Sequence, residues 1–303
     1  MNSLNLTSGH GAALEAAAEV EGRSLWQDAW RRLKANRAAL ASMVVLAVIA
    51  VVCLVGPYML PWPYDAIDWD HVEAMPPNFE LGHYLGTDSV GRDLLARTLV
   101  GGRISLMVGI LATAVALFIG VTVGAVAGFV GGRVDQLLMR LVDLLYSVPL
   151  TFFVIILMVM FGRNFVLMFL AIGAVEWLTM ARIVRGQTLS LKSKEFIEAA
   201  RASGGSTAGI IIRHIVPNVL GVVIVYVTLT IPQVILLESF LSFLGLGVQE
   251  PLTSWGVLLN EGAAELEVNP QTLIVPAVFM TATLFCFNFL GDGLRDALDP
   301  KDR

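Results

Sequence analysis

The chain contains no Gly-Lys dipeptide anywhere in its 303 residues, so no phosphate-cradling loop for ATP can be written on it. HExxH and GxSxG are absent too, which removes the metalloprotease and serine-hydrolase readings of a membrane-bound chain. Cysteine is almost missing: Cys53 and Cys286 each sit inside an apolar run and read as small buried residues, not as a disulfide or a metal pair. None of the four histidines (His10, His71, His83, His214) has a ligand-spaced partner, so no metal site and no bound cofactor is expected. Charge is scarce as well, 15% of residues against 56% hydrophobic, and the net charge of −5 argues against a nucleic-acid partner.

What is present is a series of long uncharged runs. A helix needs about 20 apolar residues to cross the hydrocarbon of a bilayer. Such runs lie between Arg37 and Asp65, Arg103 and Arg133, Asp143 and Arg163, Arg213 and Glu238, and Glu267 and Asp292. A sixth, from Arg163 to Arg182, is interrupted only by Glu176. The expected fold is therefore all-α, a polytopic membrane protein with six transmembrane helices. Basic residues fall on alternate connections: Arg23, Arg31, Arg32, Lys34 and Arg37 before the first run, Arg133 and Arg140 after the second, and six between Arg182 and Arg213. By the positive-inside rule both termini are cytoplasmic.

The expected organisation is a cytoplasmic tail over 1–38, a first transmembrane helix over 39–60, an outer segment over 61–97, a core over 98–291 and a cytoplasmic tail over 292–303. Residues 1–22 are polar and Ala-rich and read as disordered, with no cleavable leader. Ser24 to Gln27 resembles a capping box, followed by Trp26, Trp30 and Leu33 at helical spacing. This predicts either an amphipathic helix on the inner face or an extension of the first span. In the second span Ala112, Ala116, Gly120, Gly124, Gly128 and Gly132 recur at every fourth position. Such a groove lets another helix approach closely, in this chain or in a partner. Pro149 predicts a kink in a third span over 144–161, Asp88 or Ser89 a cap for a helix starting near Asp93, and the outer loop 241–272 a surface-hugging connection. Glu176 and Glu238 are intramembrane or near-membrane acids. Glu176 is open to pairing with a nearby arginine, and Glu238 to a translocation-pathway role or a structural hydrogen bond.

Between the fourth and fifth spans, in an inner loop over 185–217, the chain reads FIEAARASGGSTAGIIIRHIVPN from Phe196 to Asn218. With Glu198, Ala199, Ala200, Gly204 and Pro217 so placed, this loop resembles the EAA loop of ABC importer permeases. LGTDSVGRDLLARTLVGGRISL (Leu85 to Leu106) and ESFLSFLGLG with SWG from Glu238 resemble their oligopeptide and dipeptide branch. The resemblance runs from about Gly22 to Arg303. It implies a type I ABC importer permease fold and a role as transmembrane subunit of an oligopeptide importer, with a dipeptide or nickel permease as alternative and a non-transporting scaffold as the reading from another class. It also implies a homologous B-type permease as partner, two ABC ATPase subunits carrying ATP-Mg, an extracytoplasmic peptide-binding protein, a peptide substrate and a bacterial inner membrane. Phe196, Ile197, Ala199 and Ala200 would then present an apolar surface to a partner groove, Glu198 its rim, Gly204 the turn and Pro217 the restart of the fifth span.

Overall fold

The computed structural model describes residues 25–298. The tail, Ser24 of the capping box, Lys301 and Arg303 lie outside the described residues. Helix α1 (Leu25–Ala35) is separate from α2 (Arg37–Val55) because Asn36 adopts an extended backbone and its side chain accepts the Ala39 amide at 3.2 Å. Ala29 and Leu33 of α1 are buried against Leu290, Leu294 and Ala297. The segment is thus a helix separate from α2, with Trp30 still 48% exposed.

The remaining elements are α3 (Leu94–Val130), α4 (Gly132–Tyr146), α5 (Leu150–Phe161), α6 (Phe165–Lys192), α7 (Glu195–Ala202), α8 (Thr207–Ile210), α9 (Val216–Phe243), α10 (Trp255–Ala264) and α11 (Gln271–Leu298). Five helical stretches are long and apolar enough to cross a membrane, and six if α4 and α5 count as one broken span. The expected third span over 144–161 needs correction. Its Pro149 does not kink a helix but stands between two that meet at 81°. Ser147 ends α4, and Pro149, without an N–H to continue the ladder, caps α5 instead. The 12 residues of α5 span only about 18 Å at 1.5 Å each.

Helix boundaries shift for a common reason: charge interrupts a hydrophobic run without breaking a helix. Asp93, not Asp88 or Ser89, caps α3, accepting the Ala96 amide at 2.7 Å, and α3 then runs 37 residues through Arg97 and Arg103. Likewise α6 carries Arg182 and Arg185 as far as Lys192, and α11 passes through residue 292, where a tail was expected. The inner loop accordingly shrinks from 185–217 to the connection around α7.

The small-residue groove of α3 packs on α6 of the same chain. A Cβ added at Gly120 would lie 2.5 Å from Met180 Cβ, at Gly124 2.5 Å from the Ala181 carbonyl oxygen, and at Gly128 2.7 Å from Thr188 Cβ. Gly173 of α6 reciprocates: its Cβ would stand 2.8 Å from the Ala112 carbonyl oxygen. Gly132 is not part of the groove, because Gly131 and Gly132 take φ of 72° and 57° and end the helix one turn beyond Gly128.

The segment between α2 and α3 forms no strand among the described residues and is held by side chains. His83 is fully buried between Asp93 (Nδ1 to Oδ2, 2.9 Å) and Asp68 (Nε2 to Oδ2, 3.5 Å) and stacks on Trp62 at 4.7 Å. Burial raises the Asp93 carboxyl above its ordinary range, although the Ala96 amide and His83 pull the other way. Arg97 is 3% exposed and bonds to Asp88 and, in a fork, to Glu261 of α10 at 2.6 and 3.0 Å. Arg92 joins the network through Asp88 at 2.8 Å and Glu250 at 2.9 Å. Removing one partner of a buried ion pair strands the others at a cost of about 3 kcal/mol or more. We therefore expect Arg97→Gln to loosen α10, raising its amide exchange while the inner-side helices keep theirs.

Candidate functional site

The candidate site is built on α7 and the two glycines after it, the segment expected from the sequence on the inner face. Helix α7 ends in a Schellman motif: Gly205 N donates to the Ala200 carbonyl at 3.0 Å and Gly204 N to that of Arg201 at 2.9 Å, with Gly204 at φ 80°. Gly204 makes the turn expected of it. Gly205 is needed as well, since a Cβ there would fall 2.7 Å from the Ala200 carbonyl oxygen. Ser206 then caps α8, its Oγ accepting the Gly209 amide at 3.1 Å.

Residues expected on one apolar surface divide between two faces. Ile197 is fully buried in a cluster with Phe129 of α3, Val184 of α6 and Ile210, Ile211 and Ile215. Phe196 stays 42% exposed, Glu198 and Ala199 are exposed, and Ala200 is half-buried. The Arg201 guanidinium lies 4.6 Å from the centre of the Phe129 ring, a second tie to α3. An open cavity of about 320 Å³ separates Ala200 and Ser203 from Gly209, Arg213 and His214.

Pro217 does not restart a span. A π-helical turn, Ile211–Ile215, leads α8 into α9 without interruption, and Pro217 falls in the first turn of α9. The wider turn accommodates a residue with no N–H, and Asn218 Nδ2 caps the His214 carbonyl at 2.7 Å. The physical consequence of this arrangement is mechanical. Helix α7 is seated by Ile197 in a cluster that also holds residues of α3, α6 and the turn opening α9, and Arg201 ties it to α3, so a force applied to its exposed side is passed into the membrane helices through that cluster.

The intramembrane acids sit apart from this surface. Among the described residues Glu176, half-buried in α6, forms no ion pair; the nearby arginines are taken by others, Arg182 by Asp143 at 2.7 Å and Arg185 by Asp135 in a fork at 2.5 and 2.7 Å. Glu238 lies fully buried near the outer end of α9, with Ser105 Oγ donating at 2.9 Å and Ser242 Oγ at 2.6 Å. Sequence reasoning gave no role to Arg97, His83 or Trp255 and placed Ile197 on the exposed surface.

Two family models match the sequence. Residues 120–303 match the binding-protein-dependent transport system inner membrane component, and residues 24–77 the N-terminal TM domain of oligopeptide transport permease C. The first covers more than half of the chain. The chain belongs to this family of transport-system permeases. Among its relatives is the oligopeptide transport system permease protein OppC of Escherichia coli (strain K12), 65% identical over 94% of each chain. The dipeptide transport system permease protein DppC of Bacillus subtilis (strain 168) is 44% identical over 92% of this chain and 87% of its own length. A solved structure titled as inward-facing conformations of the MetNI methionine ABC transporter covers 68% of this permease and 96% of its own chain. With a TM-score of 0.55 and 17% identity it supports the fold alone. Together with its apolar helices, family membership makes this permease a multi-pass membrane protein.

Proposed function

We propose that this chain is the transmembrane permease subunit of an ATP-driven oligopeptide importer in a bacterial inner membrane, forming half of the translocation pathway. The observation that carries the mechanism is the seating of α7: Ile197 inward, Phe196, Glu198 and Ala199 outward, at the point where α3, α6 and α9 converge. An exposed phenyl ring and a carboxylate on a welded helix suit a groove of a partner subunit. That partner supplies ATP-Mg and its hydrolysis, since the sequence has no loop to bind either. Two such ATPase subunits, a homologous B-type permease and an extracytoplasmic peptide-binding protein complete the assembly. Oligopeptide is favoured over dipeptide or nickel cargo by the 65% relative and by the N-terminal match to oligopeptide permease C. ATP-driven movement of the paired ATPases shifts α7, and the helices fixed to it alternate an outward with an inward cavity.

Reporter fusions test the orientation on which this rests. A reporter active only in the cytoplasm is expected to work within 205–207 and after Arg303, and one active only outside at Asp70 and Glu261. Cytoplasmic activity at Asp70 would overturn the assignment of α7 to the inner face. Proteins copurified with a tagged chain are expected to include ATPase subunits and a binding protein loaded with peptide.

A further inference from the structure

Helix α10 is anchored by its first residues, and the anchor converges on one carboxyl group. Trp255 is fully buried, its Nε1 donating to the Thr98 carbonyl at 3.0 Å, and a Cβ added at Gly102 would stand 2.6 Å from its ring. The N-terminal amides of a helix have no partners within it. Here two of them are served through serines. Val257 N donates to Ser254 Oγ at 3.3 Å, Ser254 Oγ to Ser242 Oγ at 3.3 Å, and Ser242 Oγ to Glu238 Oε1 at 2.6 Å. On the other branch Trp255 N donates to Ser105 Oγ at 3.2 Å, and Ser105 Oγ to Glu238 Oε2 at 2.9 Å.

A hydroxyl has one proton to give. Each serine that takes a helix amide passes its own proton on, so both branches run in one direction and end on the two oxygens of Glu238. The branches come from different elements: Ser105 from α3, Ser242 from α9 and Ser254 from the start of α10. We propose that Glu238 is the positioning residue of the outer helix, a two-armed acceptor that gathers the N-terminal amides of α10 and makes α3, α9 and α10 move as one body. Outer helix and spans then respond together to α7, which ties this inference to the importer reading. Glu238 acts through Ser105, Ser242 and Ser254 and need not touch cargo.

Glu238→Gln is the sharp probe, because it keeps shape and replaces one acceptor by a donor, so that two donors face each other on one arm. In the assembled complex, amides of α10 are expected to exchange about tenfold faster or more, as when a buried partner is lost, while those of α7 stay unchanged. Ser254→Ala cuts one arm only and should give a smaller, local increase, and the double variant should be no worse than Glu238→Gln alone. Unchanged exchange in α10, or additive effects of the two substitutions, would overturn the proposal. Should Glu238→Gln fail to insert, Ser254→Ala and Ser105→Ala carry the same comparison on separate arms. Exchange reads the anchor whatever the cargo, so failure here and failure of the importer reading are separable.

Discussion

Replacing Gly124 by Leu is expected to abolish assembly of the permease, while Phe118→Leu, on the same helix, should leave it intact. Position 124 faces the α6 backbone: a Cβ there would lie 2.5 Å from the Ala181 carbonyl oxygen, 2.8 Å from Val184 Cβ and 3.0 Å from Arg185 N. Two of those three atoms belong to the main chain and cannot rotate away. Overpacking a core usually costs about 1–3 kcal/mol when side chains can give. Here the helices must separate along a seam running from Gly173 against Ala112 to Gly128 against Thr188, so the loss exceeds that range. Lipid offers no hydrophobic drive to bring them back. Phe118 is 75% exposed and meets none of this. Yield of detergent-solubilised complex by size-exclusion chromatography is the measurement, and equal yields from both variants would show that the seam is not a packing face.

The second large effect is on coupling. Glu198→Lys reverses a charge on the exposed side of α7, and Gly204→Trp puts a bulky side chain at φ 80° in the turn that closes it. The left-handed conformation costs a residue with a Cβ roughly 1–2 kcal/mol. The space around Gly204 is open, so the ring projects outward instead of damaging the core. Ile197 and the helices beneath it are untouched. Both variants should insert and keep their outer surface, yet lose peptide uptake almost entirely and release the ATPase subunits on washing.

Much of this was legible in one sequence, and the exceptions have physical causes. Apolar runs report where a chain can lie in lipid, and five long helices follow them. They do not report where a helix stops: Arg103 and Arg182 end runs but not helices, because each finds a partner, Tyr58 and Asp143. The seam of glycines was readable from its spacing, but its partner was not, since α6 shows no matching stripe beyond Gly173. At the inner site Gly204 spoke through a requirement that only glycine meets. Ile197 was misread as exposed because an eight-residue helix leaves its phase undetermined. Glu238 could not be resolved at all: Ser105, which decides its surroundings, is 133 residues away.

The most direct measurement is ATP-dependent accumulation of a labelled oligopeptide by proteoliposomes holding the permease with its copurified partners. Loaded binding protein is supplied on the outer side, and the original chain is compared with Glu198→Lys. The coupling role of α7 predicts accumulation that requires ATP in the original and is absent in the variant, although both are inserted to the same level. Accumulation by the variant at the original rate, with its ATPase subunits fully retained, would contradict it.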